Sequence, residues 1–390
     1  MIRRVLVISS VLPTETGGGE LVLRRHLLAL DASHWSVQLV IAGQPSARPA
    51  NWPCHCIGRF PTPQRLMRTR LAPWLSSQIY SGRLISRSSL IRVVERIKPH
   101  VILTVAHGEL APIACWLSSL KRIPLVTLFH DWWPDMVPCT KTGRRRIAEQ
   151  FVKLSQISDV ALCVCPEMAA ELGAESRTKL LYPIPDRYFR LHSRSASVNF
   201  YSINRRRSLR VAYAGSLEGT YGKMVAELAI VLSDVAQIDF RFCGPSSVDS
   251  KWPIVPGYVG RLPNEQFRSF LASQDLLVVL MSFRPEDERR VRTSFPSKLV
   301  EYCQIGLPIL VWGPHSCSAV RWAQQTDAAE VVSDPNPRAV VMRLMQLQDK
   351  PARLTQMAER SAGYANRDFH PNHIHKQFED SLHSAITVSE

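Results

Sequence analysis

Short runs of apolar and β-branched residues alternate with longer helix-like segments along most of this chain. A run of roughly four to eight apolar residues bounded by turn residues is typical of a strand buried on both faces. Strands of this kind separated by helices predict a parallel sheet with helices packed against it. In the first half of the chain these runs lie at 5–9, 37–42, 101–105, 125–129 and 160–164.

A second series of the same kind follows a polar stretch. Residues 192–208 (HSRSASVNFYSINRRRS) contain few aliphatic side chains, which predicts a linker between domains. Beyond it, strands are predicted at 211–214, 240–243, 255–259, 276–280 and 309–312, separated by helices. Residues 44–63 are predicted to be loop, and residues 64–98 and 336–387 helical.

Two strand–helix series in 390 residues predict an α/β protein with two Rossmann-like parallel-sheet domains. The predicted domains cover residues 1–195 and 205–365, and a C-terminal helix at about 370–390 is expected to pack back on the first domain. Ligands bind such sheets beyond the carboxyl ends of the strands. We therefore expect a ligand site in an interdomain cleft.

Positive charge is concentrated in the first half. The net charge is +15, with 26 Lys and Arg against 13 Asp and Glu in residues 1–195 and 22 against 20 in the remainder. Such asymmetry predicts an anionic partner for the first domain. Nucleic acid, an anionic membrane surface and a phosphorylated acceptor all have the required charge.

Cysteine usage and hydropathy indicate the compartment. The nine cysteines include no CxxC pair, which is typical of buried reduced thiols in a reducing environment. The apolar run at 5–11 is too short for a signal peptide, and no run approaches the ~20 residues of a membrane span. We therefore expect a cytoplasmic protein, soluble or peripheral on the inner face of the plasma membrane.

Three turns could bind phosphate. In PTETGGGE, Gly18 and Gly19 stand between a strand and a helix, and in YAGSLEGTYGK a strand runs into Gly215 and Ser216, with Lys223 further on. Glycines let a ligand approach the backbone, and helix starts favour phosphate. Tight turns and a surface lysine are the structural alternatives.

The third segment, TSFPSKLVEYCQIGLPIL, gives the most specific indication of nucleotide binding. Ser297 and Lys298 stand at a predicted helix start after Pro296, and Glu301 follows one turn later. A carboxylate for ribose and a helix start for phosphate are the usual combination in nucleotide sites of such folds. The alternative is a solvated helix end.

The segment FPSKLVEYCQIGLPIL resembles the nucleotide-sugar motif of the retaining GT-B glycosyltransferases of family four. The GGGE loop, the YAGS turn, the FCGP turn and VPGYVGRLPNEQ stand in the same order as in that family. The resemblance implies a GT-B fold and sugar transfer, with retention, from a nucleoside-diphosphate sugar to a glycan or lipid-linked glycan, in polysaccharide or glycolipid biosynthesis. A sugar-nucleotide epimerase and a non-catalytic nucleotide-sugar-binding module remain alternatives.

The resemblance also assigns roles to residues. By similarity Glu301 holds the ribose, the turn at Gly260 and Arg261 holds the nucleobase, and the N-terminal glycine loop closes over diphosphate and sugar. The diphosphate ligands implied by similarity are Lys223, Ser297 and Lys298, beside Gly215 and Ser216.

Two positions depart from the family pattern. The first glutamate of the family's pair is Thr293 here, which affects the expected contact with the donor sugar. A basic residue often found after the YAGS-type turn is replaced by Leu217 and Glu218. The candidates for the missing positive charge are Arg284, Arg289, Arg290 and Arg292.

Catalysis is expected at the end of the strand 125–129. His130 resembles the histidine that the family places against the transferred sugar, and its ring could exchange a hydrogen bond as charge develops. Asp131 is the second candidate, with Asp135 and His107 as weaker alternatives. GT-B enzymes stabilise the leaving diphosphate with cations and helix dipoles, so we expect no metal and no other cofactor.

The segment 64–98 is rich in arginine interleaved with Leu, Ile and Trp74. It is either a solvated helical face or a surface for anionic lipid or a lipid-diphosphate acceptor. A nucleic-acid partner is not expected, because no recognition motif is present.

Overall fold

The computed structural model describes residues 2–15, 17–43, 49, 51–61, 65–173, 176–186, 207–245 and 255–389. The chain forms two compact units. Unit 1 is Met1–Tyr182 with Ile374–Glu390, and unit 2 is Pro183–His373. The unit boundary thus precedes the predicted linker, whose residues 192–206 lie outside the described residues.

Unit 1 is built on a seven-stranded parallel sheet. Its strands are β1 (Arg3–Ile8), β2 (Trp35–Ala42), β3 (Cys54–Ile57), β4 (Val101–Val105), β5 (Leu125–Phe129), β6 (Val160–Cys163) and β7 (Thr178–Leu180), in the order β3-β2-β1-β4-β5-β6-β7. Every residue of β4 and β5 is buried. This burial follows from helices covering both faces of a parallel sheet, and it explains why these strands are continuous apolar runs.

The helices of unit 1 follow the strands in sequence. They are α1 (Gly18–Ala29), α2 (Ala72–Tyr80), α3 (Arg87–Ile97), α4 (Leu110–Lys121), α5 (Lys141–Ile157), α6 (Pro166–Leu172) and α14 (Pro371–Ser389). The direction of chain progression reverses between the neighbouring strands β1 and β4. Loops that leave such a switch point diverge and open a crevice at the carboxyl edge.

Unit 2 repeats this plan with a five-stranded parallel sheet in the order β12-β11-β10-β8-β9. Its strands are β8 (Leu209–Ala214), β9 (Ile238–Cys243), β10 (Leu276–Leu280), β11 (Ile309–Trp312) and β12 (Glu330–Val332). Its helices are α7 (Gly219–Ser233), α8 (Asn264–Ala272), α9 (Glu288–Thr293), α10 (Ser297–Ile305), α11 (Ser318–Thr326), α12 (Pro337–Gln348) and α13 (Pro351–Asn366). Here the switch point lies between β8 and β10.

The C-terminal helix α14 packs within unit 1. The Trp35 indole donates a hydrogen bond to Glu379 Oε1 at 2.7 Å. The His26 ring of α1 stacks on Phe378 with 4.4 Å between centroids. Both nitrogens of the buried His26 ring lack a hydrogen-bond partner among the described residues. Helix α14 therefore covers α1 with an aromatic contact.

The predicted α/β class with two Rossmann-like sheets is confirmed, and the structure differs from three local predictions in detail. The segment 44–63 contains strand β3 (Cys54–Ile57). Its cysteine and histidine side chains do not form the apolar run by which the other strands were predicted. The predicted strand at 255–259 is a single bridge between Phe242 and Tyr258. The segment 64–98 breaks between α2 and α3 at Gly82 (φ 72°), where a Cβ would lie 2.8 Å from Ile113 Cγ1.

Within the described ranges, no helix is both long and apolar enough to cross a lipid bilayer.

Candidate functional site

The glycine loop of unit 1 leads from β1 into α1. Gly17 precedes the helix with φ 91°. Because glycine has no side chain, this residue does not cap the first amides of α1. The Thr14 hydroxyl donates a 2.7 Å hydrogen bond to Glu20 Oε2, which ties the loop to the first helical turn. Gly18 is exposed and Gly19 is half-buried. The helix dipole favours an anion at this loop, and the Glu20 carboxylate already lies beside Gly17 there.

Gly19 and His130 come together at this edge. A Cβ atom on Gly19 would lie 3.3 Å from His130 Nδ1, the first residue after β5. Burial, and secondly the charge of His107, lower the pKa of His130 to about 4. The half-buried imidazole is therefore neutral near pH 7, so one ring nitrogen is able to donate a hydrogen bond and the other to accept one.

The alternatives to His130 lie in the same neighbourhood. Asp131 is exposed, and its main-chain carbonyl accepts a hydrogen bond from the Trp133 amide at 2.9 Å. His107 follows β4, and its ring stacks on Trp133 with 5.1 Å between centroids. Trp133 in turn contacts Tyr80 of α2, with 5.4 Å between centroids. An aromatic row thus borders His130 from the side of β4 and α2.

In unit 2, the glycine turn after β8 meets the start of α10. A Cβ atom on Gly215 would lie 1.6 Å from Lys298 Nζ, so the lysine occupies space that only a glycine leaves open. The Lys298 ammonium donates a 2.9 Å hydrogen bond to the Tyr213 hydroxyl. Ser216 is exposed next to this turn. Gly215, Ser216 and Lys298 therefore form one surface.

Helix α10 carries the two remaining residues of the predicted motif. Ser297 lies in its first turn after Pro296, and Glu301 lies one turn later; both are half-buried. The buried Tyr302 hydroxyl contacts Ala214, accepting from its amide at 3.0 Å and donating to its carbonyl at 3.2 Å. Because Tyr302 fixes α10 to β8, the Glu301 position is set by the core and not by a loop.

The turn after β9 and the segment before α8 join this surface through the backbone. A Cβ on Gly244 would lie 1.7 Å from the Gly215 carbonyl oxygen, and the Gly244 amide donates to the Gly260 carbonyl at 3.3 Å. Gly260 is thereby connected to the Gly215 turn, and Arg261 beside it is exposed. Main-chain groups at Gly260 could bind a nucleobase edge.

Lys223 is not brought into this group. It lies on the second turn of α7 and is exposed. Among the described residues it forms no ion pair, and the atoms nearest to a Cβ on Gly215 belong to Lys298 and Tyr213. Lys298 is therefore the lysine that the structure places at the Gly215 turn.

Thr293 differs from the glutamate that it replaces in more than charge. Its side chain is fully buried, and its hydroxyl donates to the Arg289 carbonyl at 2.8 Å within α9. Of the arginines considered as substitutes, Arg290 pairs with Asp287 at 3.0 Å and Arg284 pairs with Glu286. A hydroxyl engaged inside its own helix is poorly placed to bind a sugar.

Sequence reasoning missed Tyr213 as a functional candidate. It is 1 % exposed at the end of β8 and contacts Lys298, as described above. Its position in an apolar strand is typical of a core aromatic residue. Its place two residues before the glycine turn is the sequence feature that could have indicated a position close to the site.

Comparisons with known proteins agree with this fold. Residues 16–182 match the model of Glycosyltransferase Family 4. No curated protein matches the chain in sequence. The structure resembles HepE from Anabaena in complex with UDP and glucose, at 15% identity and a TM-score of 0.67, covering 98% of this chain and 100% of that one.

Two further solved structures have the same architecture. Sucrose-phosphate synthase from Thermosynechococcus elongatus has a TM-score of 0.67 at 13% identity, with all of both chains covered. WaaG, a glycosyltransferase involved in lipopolysaccharide biosynthesis, has a TM-score of 0.62 at 12% identity, covering 97% of this chain and 99% of that one. The chain is therefore a glycosyltransferase with the GT-B fold, in which residues 16–182 resemble a Glycosyltransferase Family 4 domain.

Proposed function

We propose that this enzyme transfers a sugar, with retention of configuration, from a nucleoside-diphosphate sugar to a glycan or lipid-linked glycan acceptor. The reaction belongs to polysaccharide or glycolipid biosynthesis. Unit 2 binds the nucleotide, and His130 of unit 1 acts on the transferred sugar. The complexes of HepE with UDP and with UDP-glucose make uridine nucleotides the first probes to try.

The observation that carries the proposal is the environment of the Lys298 ammonium. It is half-buried at the start of α10, and within the described residues no carboxylate pairs with it. The ammonium contacts the Tyr213 hydroxyl and ring, which carry no net charge. A cation without a carboxylate partner at the start of a helix is a site for phosphate.

Glu301 is the proposed ligand of the ribose. It lies one helical turn beyond Lys298, so a nucleotide with its diphosphate at the helix start has its ribose near this carboxylate. A carboxylate accepts hydrogen bonds from both ribose hydroxyls.

This role is tested by calorimetry with UDP and 2′-deoxy-UDP. Wild type should prefer UDP by about tenfold, and Glu301→Gln should weaken UDP binding and lose most of that preference. Glu359→Gln, on an exposed position of α13, is the matched control and should keep both affinities. A Glu301→Gln variant with the wild-type preference would contradict the ribose contact.

Metal-independent stabilisation of the leaving diphosphate is part of the proposal. Lys298 and the amides of α10 supply fixed positive charge where the departing β-phosphate gains negative charge. Transfer should therefore persist in EDTA. Loss of transfer in EDTA with recovery on adding Mg²⁺ or Mn²⁺ would contradict this part.

An exposed surface around α2 supports peripheral membrane association at the cytoplasmic face. Leu71 is 54% exposed and Trp74 56% exposed, although both are large apolar side chains. Helix α5 begins against α2, since a Cβ on Gly143 would lie 1.9 Å from Ser77 Oγ. The exposed arginines just before α2 and in the first turns of α5 are Arg65, Arg68, Arg70, Arg144, Arg145 and Arg146.

Apolar side chains among arginines have the chemistry that binds anionic lipid. Wild type should sediment with vesicles containing phosphatidylglycerol, less so at high salt and weakly with pure phosphatidylcholine. Trp74→Ala should reduce sedimentation several-fold. Met342→Ala, which removes a 63% exposed side chain from unit 2, is the control. Equal sedimentation of wild type with both vesicle types would contradict the membrane contact.

A further inference from the structure

Tyr213 lies under the glycine turn of unit 2 and is 1 % exposed. Its hydroxyl donates a hydrogen bond to the Ser216 carbonyl at 3.1 Å. The same oxygen accepts from Lys298 Nζ at 2.9 Å. A phenol has one proton to donate, and the Ser216 carbonyl receives it. The remaining lone pairs therefore face the ammonium, which has only protons to offer.

Three contacts hold the Lys298 ammonium in one place. It lies 4.6 Å from the centroid of the Tyr213 ring, within the range of a cation–π contact. It donates to the hydroxyl of the same side chain. Its stem fills the space above Gly215, where a Cβ would lie 2.1 Å from Lys298 Cε. A flexible lysine is thereby restricted before any ligand arrives, which lowers the entropic cost of binding.

The backbone around Tyr213 is fixed as well. Its neighbour Ala214 is held at both main-chain polar atoms by the Tyr302 hydroxyl of α10. These two hydrogen bonds thus fix the position of the Gly215 turn relative to the helix that carries Lys298. The Tyr213 hydroxyl is the side-chain group that connects the cation to this turn.

We propose that Tyr213 is a positioning residue for the leaving diphosphate, holding Lys298 where the β-phosphate of the donor binds. This rests on the proposed function, since it assumes that unit 2 binds a nucleoside diphosphate. Tyr213 acts through Lys298 and through the Ser216 carbonyl, and it does not itself contact the reacting atoms. We expect the contribution to be specific to the β-phosphate, because Lys298 stands at the start of α10 and the proposed ribose ligand, Glu301, stands one helical turn further on.

The experiment compares a nucleoside diphosphate with its monophosphate. Wild type is first titrated with UDP, GDP and ADP, and the tightest binder is paired with its monophosphate. Tyr213→Phe keeps the ring and removes only the hydroxyl. It should weaken diphosphate binding about tenfold and monophosphate binding less than about threefold, as expected for one hydrogen bond to a charged group.

A double-mutant cycle with Lys298→Met separates positioning from packing. With Lys298 removed, Tyr213→Phe should no longer change the ratio of diphosphate to monophosphate affinity. A core role of the hydroxyl would instead lower the melting temperature and leave that ratio at the wild-type value. Tyr364→Phe, on α13, is the matched control and should leave the ratio unchanged.

Gly215→Ala gives an independent measurement that keeps Tyr213 intact. Its methyl group displaces the ammonium from the hydroxyl, so it should reproduce the selective loss of diphosphate affinity. An unchanged ratio in Tyr213→Phe, or an equal loss with both nucleotides, would overturn the proposal. Failure of wild type to bind any of the three diphosphates would instead overturn the proposed function.

Discussion

The Nδ1 atom of His130 lies 3.3 Å from the point that a Cβ atom on Gly19 would occupy. The glycine loop and the catalytic candidate are therefore in contact, although 111 positions separate them in the sequence. A larger side chain at Gly19 has to displace the imidazole or the helix start. The backbone of Gly19 is helical, which any residue can adopt, so it is the lack of space for a side chain that explains the glycine at this position.

Substitution of Gly19 should impair transfer without unfolding unit 1. Gly19→Ala leaves a contact that a shift of a few tenths of an ångström relieves, so we expect a loss of several-fold in kcat/KM. Gly19→Val should lose about a hundredfold, since it misplaces His130. The measurement is diphosphate release beside a thermal melt. Gly363→Ala in α13, where a Cβ meets nothing within 4 Å, serves as the control. Wild-type activity in Gly19→Val would show that the imidazole position is unimportant.

Removing the His130 ring should reduce kcat more than donor binding. His130→Ala is expected to lower kcat by about a hundredfold or more, because a positioned imidazole contributes that much to proton or hydrogen-bond transfer. Asp131→Asn should lose far less if His130 is the catalytic residue. Since the His130 pKa is lowered to about 4, protonation of this ring should reduce activity only as the pH approaches that value. Undiminished transfer by His130→Ala would exclude the catalytic role.

Thr293 should behave as a structural residue. Thr293→Val removes the hydrogen bond to Arg289 and should cost about 1 kcal/mol of unfolding free energy with donor affinity unchanged. Thr293→Glu, which restores the family's residue, should destabilise unit 2 by several kcal/mol, because it buries a carboxylate in a fully enclosed position. Denaturant titrations and donor calorimetry check both. A stable Thr293→Glu with tighter donor binding would mean that the position opens toward the sugar.

The free energy of unfolding should decrease as the pH is lowered, because of His26. Burial, then the charges of His375, His130 and Arg25, place the folded-state pKa of His26 well below 6.5. The unfolded chain therefore takes up a proton that the folded chain does not, and stability is lost as the pH falls below about 6.5. His26→Phe, which can stack on Phe378, should reduce this slope by up to about 1.4 kcal/mol per pH unit. Unfolding titrations from pH 7.5 to 5 measure it, and an unchanged slope would contradict the assignment.

Several elements could be predicted from local sequence. The strands β4, β5, β10 and β11 lie at the predicted positions, because a parallel strand covered on both faces must be continuously apolar. Strand β3 could not be predicted, since its exposed edge position tolerates Cys54, His55 and Cys56. Likewise, the pairing of Phe242 with Tyr258 is one bridge, and hydropathy does not distinguish one bridge from a strand.

The sequence by itself determined the two sheets, the helix starts and the presence of glycine, lysine and carboxylate at the turns after the strands, because these depend on residue periodicity and backbone freedom. The tertiary structure decided which of those residues meet. It placed Lys298 and not Lys223 over Gly215, made Tyr213 the support of that cation, and buried Thr293. Such choices depend on side-chain packing between distant segments, which periodicity along one chain does not contain.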